Sequence, residues 1–142
     1  MILVTGGNGL VGRHLNDILP KALYVSSKDY DLIDRYQTDV MLDFYKPNVV
    51  INLAAKVGGI LDNMNNPVQY LEENTLINTN LLRSCHNHDV DKVISMGSTC
   101  MYPDVVENYP MKEDVVFDGP PPEDNFAYAM SKRLMATQID SY

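Results

Sequence analysis

A glycine-rich turn between an apolar strand and a helical pattern constrains the fold of this chain more than any other feature. Residues 1–5 read MILVT, and residues 4–12 read VTGGNGLVG, which has the spacing T-G-x-x-G-x-x-G. Apolar residues then recur at helical spacing until Pro20. This succession of strand, turn and helix predicts a dinucleotide-binding turn, where the backbone meets a pyrophosphate at the helix N-terminus.

The residues of the turn have separate expected tasks. Gly6 is expected to permit the tight turn, Gly9 to let the backbone approach a pyrophosphate, and Gly12 to allow close packing of helix on strand. An ordinary glycine turn is the alternative, because such a pattern alone is weak evidence. The motif predicts the following cofactor-binding residues: Thr5, Gly6, Gly9, Leu10, Val11 and Gly12.

Strands and helices alternate along the rest of the chain. Strands are predicted at 1–5, 22–26, 49–54 and 91–97, with a short extended piece near 30–33, and helices at about 10–19, 34–46, 67–88 and 125–142. The alternation predicts an α/β fold with a doubly wound, Rossmann-like parallel sheet of strand order 3-2-1-4-5. The chain of 142 residues suits one dinucleotide-binding domain, residues 1–142.

Two segments have a more specific expectation. In the helix at 34–46, Tyr36, Val40, Met41 and Phe44 are expected to share one face. Residues 103–124 hold five of the eight prolines, which predicts an ordered loop or lid.

The end of the second strand indicates which dinucleotide is bound. An enzyme that uses NAD usually places Asp or Glu there to bind the ribose hydroxyl. This chain instead has Ser26, Ser27 and Lys28, and their hydroxyls and ammonium suit a 2′-phosphate. Asp29 weakens the argument and Arg13 strengthens it, while a solvated turn is the alternative. We therefore predict NADP(H) as the cofactor.

A tyrosine, a lysine and a serine form the candidate proton-transfer set. Tyr128 and Lys132 are four residues apart, on one face of the last helix. A lysine beside a phenol is expected to lower the pKa of the phenol, which makes it a usable proton donor and acceptor. Ser98 ends a parallel strand, where ligands of such sheets bind. The set is typical of a short-chain dehydrogenase, although Y-x-x-x-K alone usually marks an exposed helix face.

Cys100 lies two residues after Ser98 and has no task in a simple reductase. A buried small residue is its ordinary interpretation. However, the segments VTGGNGLVG, VSSKDYDL, NLAAKVGGI, GSTCMYPD and YAMSKR together resemble the GDP-L-fucose synthases, a family of extended short-chain dehydrogenases. The resemblance covers essentially the whole chain but less than half of a family member.

The resemblance implies an epimerase-reductase that binds NADP(H) and converts GDP-4-keto-6-deoxy-mannose to GDP-L-fucose. It implies that Cys100 exchanges protons at carbons 3 and 5, that Ser98 and Tyr128 hold the keto oxygen, and that Lys132 supports Tyr128. It also implies a homodimer built on the helices at 67–88 and 125–142. The cofactor site is expected to include Leu53, Ala54, Ala55, Tyr128 and Lys132.

The chain also departs from the family pattern. The histidine that partners the cysteine lies beyond the last helix in the family, and His14, His86 and His88 do not match it. The later strands and the substrate domain that holds the GDP-sugar are not in this sequence. We therefore expect the cofactor-binding half of an enzyme, inactive alone. Another nucleotide-sugar epimerase or dehydratase, and a catalytically silent NADP-binding fragment, are the alternatives.

Composition narrows the partners. The formal net charge of −8 argues against nucleic acid and anionic membranes as partners. We find neither a signal peptide nor an apolar stretch of the roughly 20 residues that span a bilayer. Two cysteines form no disulfide framework, and the spacing of Cys85, His86 and His88 is poor for a metal site. We expect a cytoplasmic protein without a metal.

Overall fold

The computed structural model describes all 142 residues and contains a four-stranded parallel sheet. The strands are β1 (Ile2–Thr5), β2 (Leu23–Val25), β3 (Val49–Asn52) and β4 (Lys92–Ser95), in the order β2-β1-β3-β4. The α-helices are α1 (Leu10–Ile18), α2 (Arg35–Tyr45), α3 (Ile60–Asn65), α4 (Pro67–Asn87) and α5 (Phe126–Ser141). The predicted parallel α/β architecture is confirmed. None of the helices combines the length and apolarity that a membrane span requires.

Single helical turns interrupt the remaining loops. Three 3-10 helices lie at Thr99–Met101, Glu113–Phe117 and Glu123–Asn125. The last two fall in the proline-rich stretch, for which the sequence predicted an ordered loop. Helix α3 was not predicted, because its six residues are too few to show a helical period.

The carboxyl ends of the strands lie side by side. Thr5 pairs with Val25 on one side and with Asn52 on the other, and Asn52 pairs with Ser95. Because parallel strands all point the same way, the loops that leave these four residues start from one edge of the sheet.

The extended piece predicted near 30–33 is not a strand, so the predicted order 3-2-1-4-5 has one strand too many. A buried side chain takes the place of a neighbouring strand. The amide of Asn80 donates to the carbonyl oxygens of Leu32 at 3.0 Å and Ile33 at 2.9 Å. These two carbonyls are thereby satisfied without sheet pairing.

The buried face of α2 differs from the predicted one. Tyr36 is 76% exposed and Phe44 is 71% exposed, whereas Thr38, Met41 and Leu42 are buried. Asp34 fixes the start of the helix, because its carboxylate accepts from the backbone N–H of Tyr36 at 2.8 Å. The predicted face followed Tyr36 and Phe44, which lie on a row of residues spaced four apart. The core instead contacts a neighbouring face of the helix, which includes Met41.

The chain forms two compact units. The first consists of residues 1–55, 76–96 and Tyr142, and the second of residues 56–75 and 97–141. The first unit contains the sheet and the glycine turn. Its core includes Leu3, Val25, Leu32, Met41, Leu42, Val50, Ile77, Leu81 and Cys85. The second unit contains Ser98, Cys100, Tyr128 and Lys132.

Candidate cofactor and proton-transfer sites

The glycine turn at the end of β1 requires glycine at its first position. Gly6 has φ +70°, and a Cβ there would lie 2.7 Å from the carbonyl carbon of Leu53 and 2.8 Å from the nitrogen of Ala54. Any other residue would be strained and would collide with backbone. The predicted cofactor residues Leu53 and Ala54 therefore lie against this turn, and the half-buried Ala55 follows them.

Gly12 has a different neighbour from the one expected. A Cβ on Gly12 would lie 2.5 Å from the carbonyl oxygen of Gly7, so the residue packs α1 against its own turn rather than against a strand. The close approach to a strand belongs to Gly7, where a Cβ would lie 2.8 Å from that of Tyr24. Sequence reasoning missed Gly7, because the T-G-x-x-G-x-x-G spacing skips it.

The N-terminus of α1 is open. Gly9 is the N-cap residue and provides no side-chain hydrogen bond, and the first turn contains no acidic residue. Leu10 and Val11 are exposed. The first N–H groups of a helix lack partners within it, so the positive end of the α1 dipole is free to meet an anion. These observations fit the pyrophosphate of a dinucleotide.

A buried chain of polar side chains stabilises the loops at this edge of the sheet. The Thr5 hydroxyl donates to Asn52 Oδ1 at 2.8 Å, and Asn52 Nδ2 donates to Asn78 Oδ1 at 3.1 Å. Asn52 Oδ1 also accepts from the backbone N–H of Ala54 at 3.2 Å. The link between Thr5 and Ala54 holds together the two segments that meet at Gly6. The only sequence signal for it was a polar residue ending each apolar strand.

In the turn after β2, the carboxylate of Asp29 bonds the turn itself. The backbone N–H and the hydroxyl of Ser26 both donate to Asp29 Oδ2 at 2.8 Å. These bonds lower the pKa of Asp29, so the group is a carboxylate at neutral pH. Ser27 and Lys28 remain exposed. Of the three residues predicted to bind a 2′-phosphate, Ser26 is therefore already bonded within the turn.

In the second unit, Ser98 and Cys100 share one tight turn. Ser98 is the N-cap of the 3-10 helix Thr99–Met101, and its hydroxyl oxygen accepts from the backbone N–H of Cys100 at 3.2 Å. The backbone N–H of Ser98 donates to Met101 Sδ at 3.4 Å. The turn thus holds both candidate side chains, half-buried, in one short segment.

Tyr128 and Lys132 lie next to each other on α5. The Lys132 ammonium is 5.9 Å from the centroid of the Tyr128 ring, and Lys132 is only 3% exposed, which excludes an exposed helix face. Burial raises the pKa of Tyr128; a hydrogen bond with Ser98 acts to lower it, and an electrostatic interaction with Cys100 acts to raise it. The structure therefore brings Ser98, Cys100, Tyr128 and Lys132 together.

The predicted direction of the Tyr128 pKa shift is wrong. The lysine was expected to lower this pKa, but burial is the largest influence and raises it. Burial also lowers the pKa of Lys132, because a buried ammonium loses its hydration. Spacing along a helix indicates that two side chains meet, but it does not show how deeply both are buried.

A second polar cluster holds the segment that follows Ala55. Asn74 is 1% exposed and bonds the backbone of Lys56. Tyr70 is fully buried, and its hydroxyl donates a hydrogen bond to the carboxylate of Asp62. This bond lowers the pKa of Asp62 and raises that of Tyr70 to about 12. Asn74 is therefore buried and does not belong to an exposed polar helix face. No set of three His, Cys, Asp or Glu side chains is grouped to hold a metal ion.

Comparison with known proteins identifies the family of this chain. A profile of the NAD dependent epimerase/dehydratase family matches residues 2–142. The chain is 40% identical to the Drosophila melanogaster protein named "Probable GDP-L-fucose synthase", over 99% of this chain and 46% of that protein. It is 38% identical to the GDP-L-fucose synthase of Dictyostelium discoideum, over 94% of this chain and 44% of that protein.

A solved structure gives the same result. The crystal structure of a GDP-L-fucose synthetase from Naegleria fowleri bound to NADP matches with a TM-score of 0.86 and 41% identity, over 96% of this chain and 45% of that one. The resemblance to GDP-L-fucose synthases is thus confirmed, and the chain spans less than half the length of these relatives. The chain belongs to the NAD dependent epimerase/dehydratase family.

Proposed function

We propose that this chain is the cofactor-binding part of an NADP(H)-dependent epimerase-reductase that converts GDP-4-keto-6-deoxy-mannose to GDP-L-fucose. The observation that carries the proposal is the grouping of Cys100 with Ser98 and Tyr128. A reductase needs the serine and the tyrosine, whereas the thiol adds a second acid–base group. The names of the relatives supply the product, GDP-L-fucose.

The cofactor site is proposed at the glycine turn. The open N-terminus of α1 receives the pyrophosphate, Gly6 and Gly9 keep side chains out of its path, and Lys28 pairs with the 2′-phosphate. When bound, NADPH supplies the hydride for carbon 4 of the sugar. The remaining chemistry is proton transfer, to which this chain contributes Ser98, Cys100 and Tyr128.

Two kinds of proton transfer are assigned. The raised pKa of Tyr128 keeps its phenol protonated at neutral pH, so it donates a hydrogen bond and then a proton to the 4-keto oxygen, while Ser98 holds that oxygen. Withdrawal of electrons by the keto group makes the protons at carbons 3 and 5 acidic. Epimerisation then needs one group that takes a proton from one face of the carbon, which leaves the enolate, and a second group that returns a proton to the opposite face. We propose Cys100 as one of these groups and the histidine that the family places beyond the last helix as the other.

The cofactor proposal is tested on the chain as it stands. Calorimetric titration should show tighter binding of NADPH than of NADH, and Lys28→Ala should weaken NADPH binding by about 1.5–3 kcal/mol. Lys21→Ala, which changes an exposed lysine before β2, is the matched control. Equal affinities for the two cofactors, unchanged by Lys28→Ala, would contradict the proposal.

The chemical proposal is tested in a full-length version of the protein. Cys100→Ser should slow deuterium exchange from heavy water into the 4-keto sugar by a factor of roughly 100 to 10,000, and the variant should still reduce the keto group. Tyr128→Phe should retain exchange and lose reduction. Normal exchange in Cys100→Ser would show that the thiol only fills space.

We further propose a homodimer in the cytoplasm. Helix α4 exposes Val68, Leu71 and Leu76, and α5 exposes Met130, Leu134 and Ile139. Exposed apolar side chains on two long helices suit burial against a second copy. Both cysteines are free thiols, as in cytoplasmic proteins. Sedimentation should show a dimer at micromolar concentration. Leu134→Glu should give a monomer, whereas Tyr36→Glu, at an exposed position of α2, should not.

A further inference from the structure

Arg133 is a buried cation in the middle of α5. It follows Lys132 directly and is 6% exposed. Its Nε donates to the carbonyl oxygen of Met101 at 2.6 Å, and its guanidinium carbon lies 5.8 Å from the centroid of the Phe117 ring. One side of the charged group therefore faces an aromatic ring, and its edge faces the turn that carries Cys100.

A contribution to folding stability does not explain why the charged Arg133 occupies this buried position. Arg133 forms no salt bridge, and its Nη2 is buried without a hydrogen-bond partner. Burial lowers the pKa of the guanidinium, which records the loss of hydration. A buried charge without a carboxylate is costly, and apolar residues of similar volume commonly serve such places better. The one polar contact that Arg133 gains is the carbonyl of Met101.

That contact joins two elements that carry the candidate proton-transfer groups. Tyr128 and Lys132 are on α5, whereas Ser98 and Cys100 are on the turn Ser98–Met101. Besides the bond between Ser98 and Tyr128, the other hydrogen bonds of the turn are internal, such as that from the backbone N–H of Met101 to the carbonyl of Ser98 at 3.1 Å. Internal bonds fix the shape of the turn, but they do not fix its position along the helix.

We propose that Arg133 is a positioning residue that holds the turn Ser98–Met101 against α5 and thereby sets where the Cys100 thiol stands relative to the Tyr128 hydroxyl. The planar guanidinium suits this task, because Phe117 supports its face while the Nε–H points at one carbonyl. The task that the thiol then performs rests on the proposed function, whereas its position does not.

The test uses thiol alkylation of this chain under native conditions. Cys100 is half-buried in the turn, and Cys85 is buried in the core of the first unit. Burial raises the pKa of Cys85 to about 12, so its labelling by iodoacetamide near neutral pH reports unfolding. The labelling rate of each cysteine is read separately by mass spectrometry of its peptide.

We expect Arg133→Met to raise the labelling rate of Cys100 about tenfold, the factor that corresponds to losing about 1.4 kcal/mol of holding free energy. Cys85 should stay protected. Arg133→Lys keeps an N–H donor and should restore most of the protection of Cys100. Arg83→Met, which changes an exposed arginine of α4, should leave both rates unchanged.

Two results for Arg133→Met would overturn the proposal. If the Cys100 rate does not change in Arg133→Met, the turn holds its position without the arginine. If both cysteines become reactive together, Arg133 supports the fold and does not position the turn.

If Arg133→Met does not fold, Arg133→Gln is used in its place, because the Gln side chain keeps an N–H donor without the charge. Rapid labelling of Cys100 in both Arg133→Gln and Arg133→Lys, with Cys85 protected, would then overturn the hydrogen bond as the holding contact.

This experiment separates the inference from the proposed function. Alkylation requires neither cofactor nor GDP-sugar. If Cys100→Ser leaves deuterium exchange intact, the proposed function fails while the labelling result still decides the position of the turn. If the labelling result fails, the chemistry assigned to Cys100 remains open to its own test.

Discussion

The side chain of Asn74 bonds both polar groups of the Lys56 backbone. Asn74 Oδ1 accepts from the N–H of Lys56 at 2.9 Å, and Asn74 Nδ2 donates to its carbonyl oxygen at 3.0 Å. The same Nδ2 donates to the carbonyl oxygen of Tyr70 at 2.8 Å. One side-chain amide thus satisfies both polar groups of the Lys56 backbone, as a neighbouring strand would do in a sheet. It also holds the segment that continues to Gly58, which lies next to Tyr70.

Asn74→Leu should destabilise the protein strongly. The change keeps the branched shape of the side chain but leaves the half-buried N–H and carbonyl of Lys56 without partners, which we expect to lower the free energy of unfolding by about 3 kcal/mol. Urea denaturation measures the change. Gln69→Ala, on the exposed side of the same helix, removes only a surface bond to Glu73 and should have little effect. Equal losses for the two variants would contradict the assignment.

The two neighbouring glycines Gly58 and Gly59 should respond differently to substitution by alanine. A Cβ on Gly58 would lie 2.0 Å from the Tyr70 hydroxyl oxygen, whereas a Cβ on Gly59 meets nothing within 4 Å. Gly58→Ala should lower the free energy of unfolding by about 2 kcal/mol, because the buried Tyr70 has no room to move, and Gly59→Ala should be close to neutral.

A double-mutant cycle identifies the source of the Gly58 effect. Tyr70→Phe removes the hydroxyl that the new Cβ would strike. Gly58→Ala should therefore cost less in the Tyr70→Phe background than in the wild type. An unchanged cost would show that the backbone of Gly58, rather than the clash, is responsible.

Lys132→Met should stabilise the chain near neutral pH. Burial lowers the pKa of Lys132 from its ordinary value of 10.5, so the unfolded chain binds more protons between the two pKa values. The stability of the wild type therefore rises with pH through that window, and the advantage of Lys132→Met shrinks toward pH 10.5. Thermal unfolding at several pH values measures this. The exposed Lys92→Met should show no such trend.

The sequence was sufficient to predict the main helices and strands. It was also sufficient to predict which residues of a motif lie next to each other. Long periodic segments predicted α4 and α5 almost to their ends, and the Y-x-x-x-K spacing predicted that Lys132 meets Tyr128. A local spacing is enough for these, because the helix itself brings such residues together.

Buried polar contacts between distant segments could not be predicted in the same way. Nothing near Asn74 or Arg133 in the sequence shows that they bond Lys56 and Met101, which lie 18 and 32 residues away. Their polarity indicated a surface position, and only the packed structure shows that they are buried. The direction of the Tyr128 pKa shift failed for the same reason, since it depends on burial.

The bonds from Asn80 to Leu32 and Ile33 also bear on the order in which the chain folds. They close loops of 48 and 47 residues, and such long closures form late in folding because their entropy is lost before the contact is gained. We therefore expect segment 30–33 to be unfixed in the folding transition state, although Asn80 holds it in the native protein. Asn80→Ala should speed unfolding and leave the refolding rate nearly unchanged, which stopped-flow measurements in urea will show.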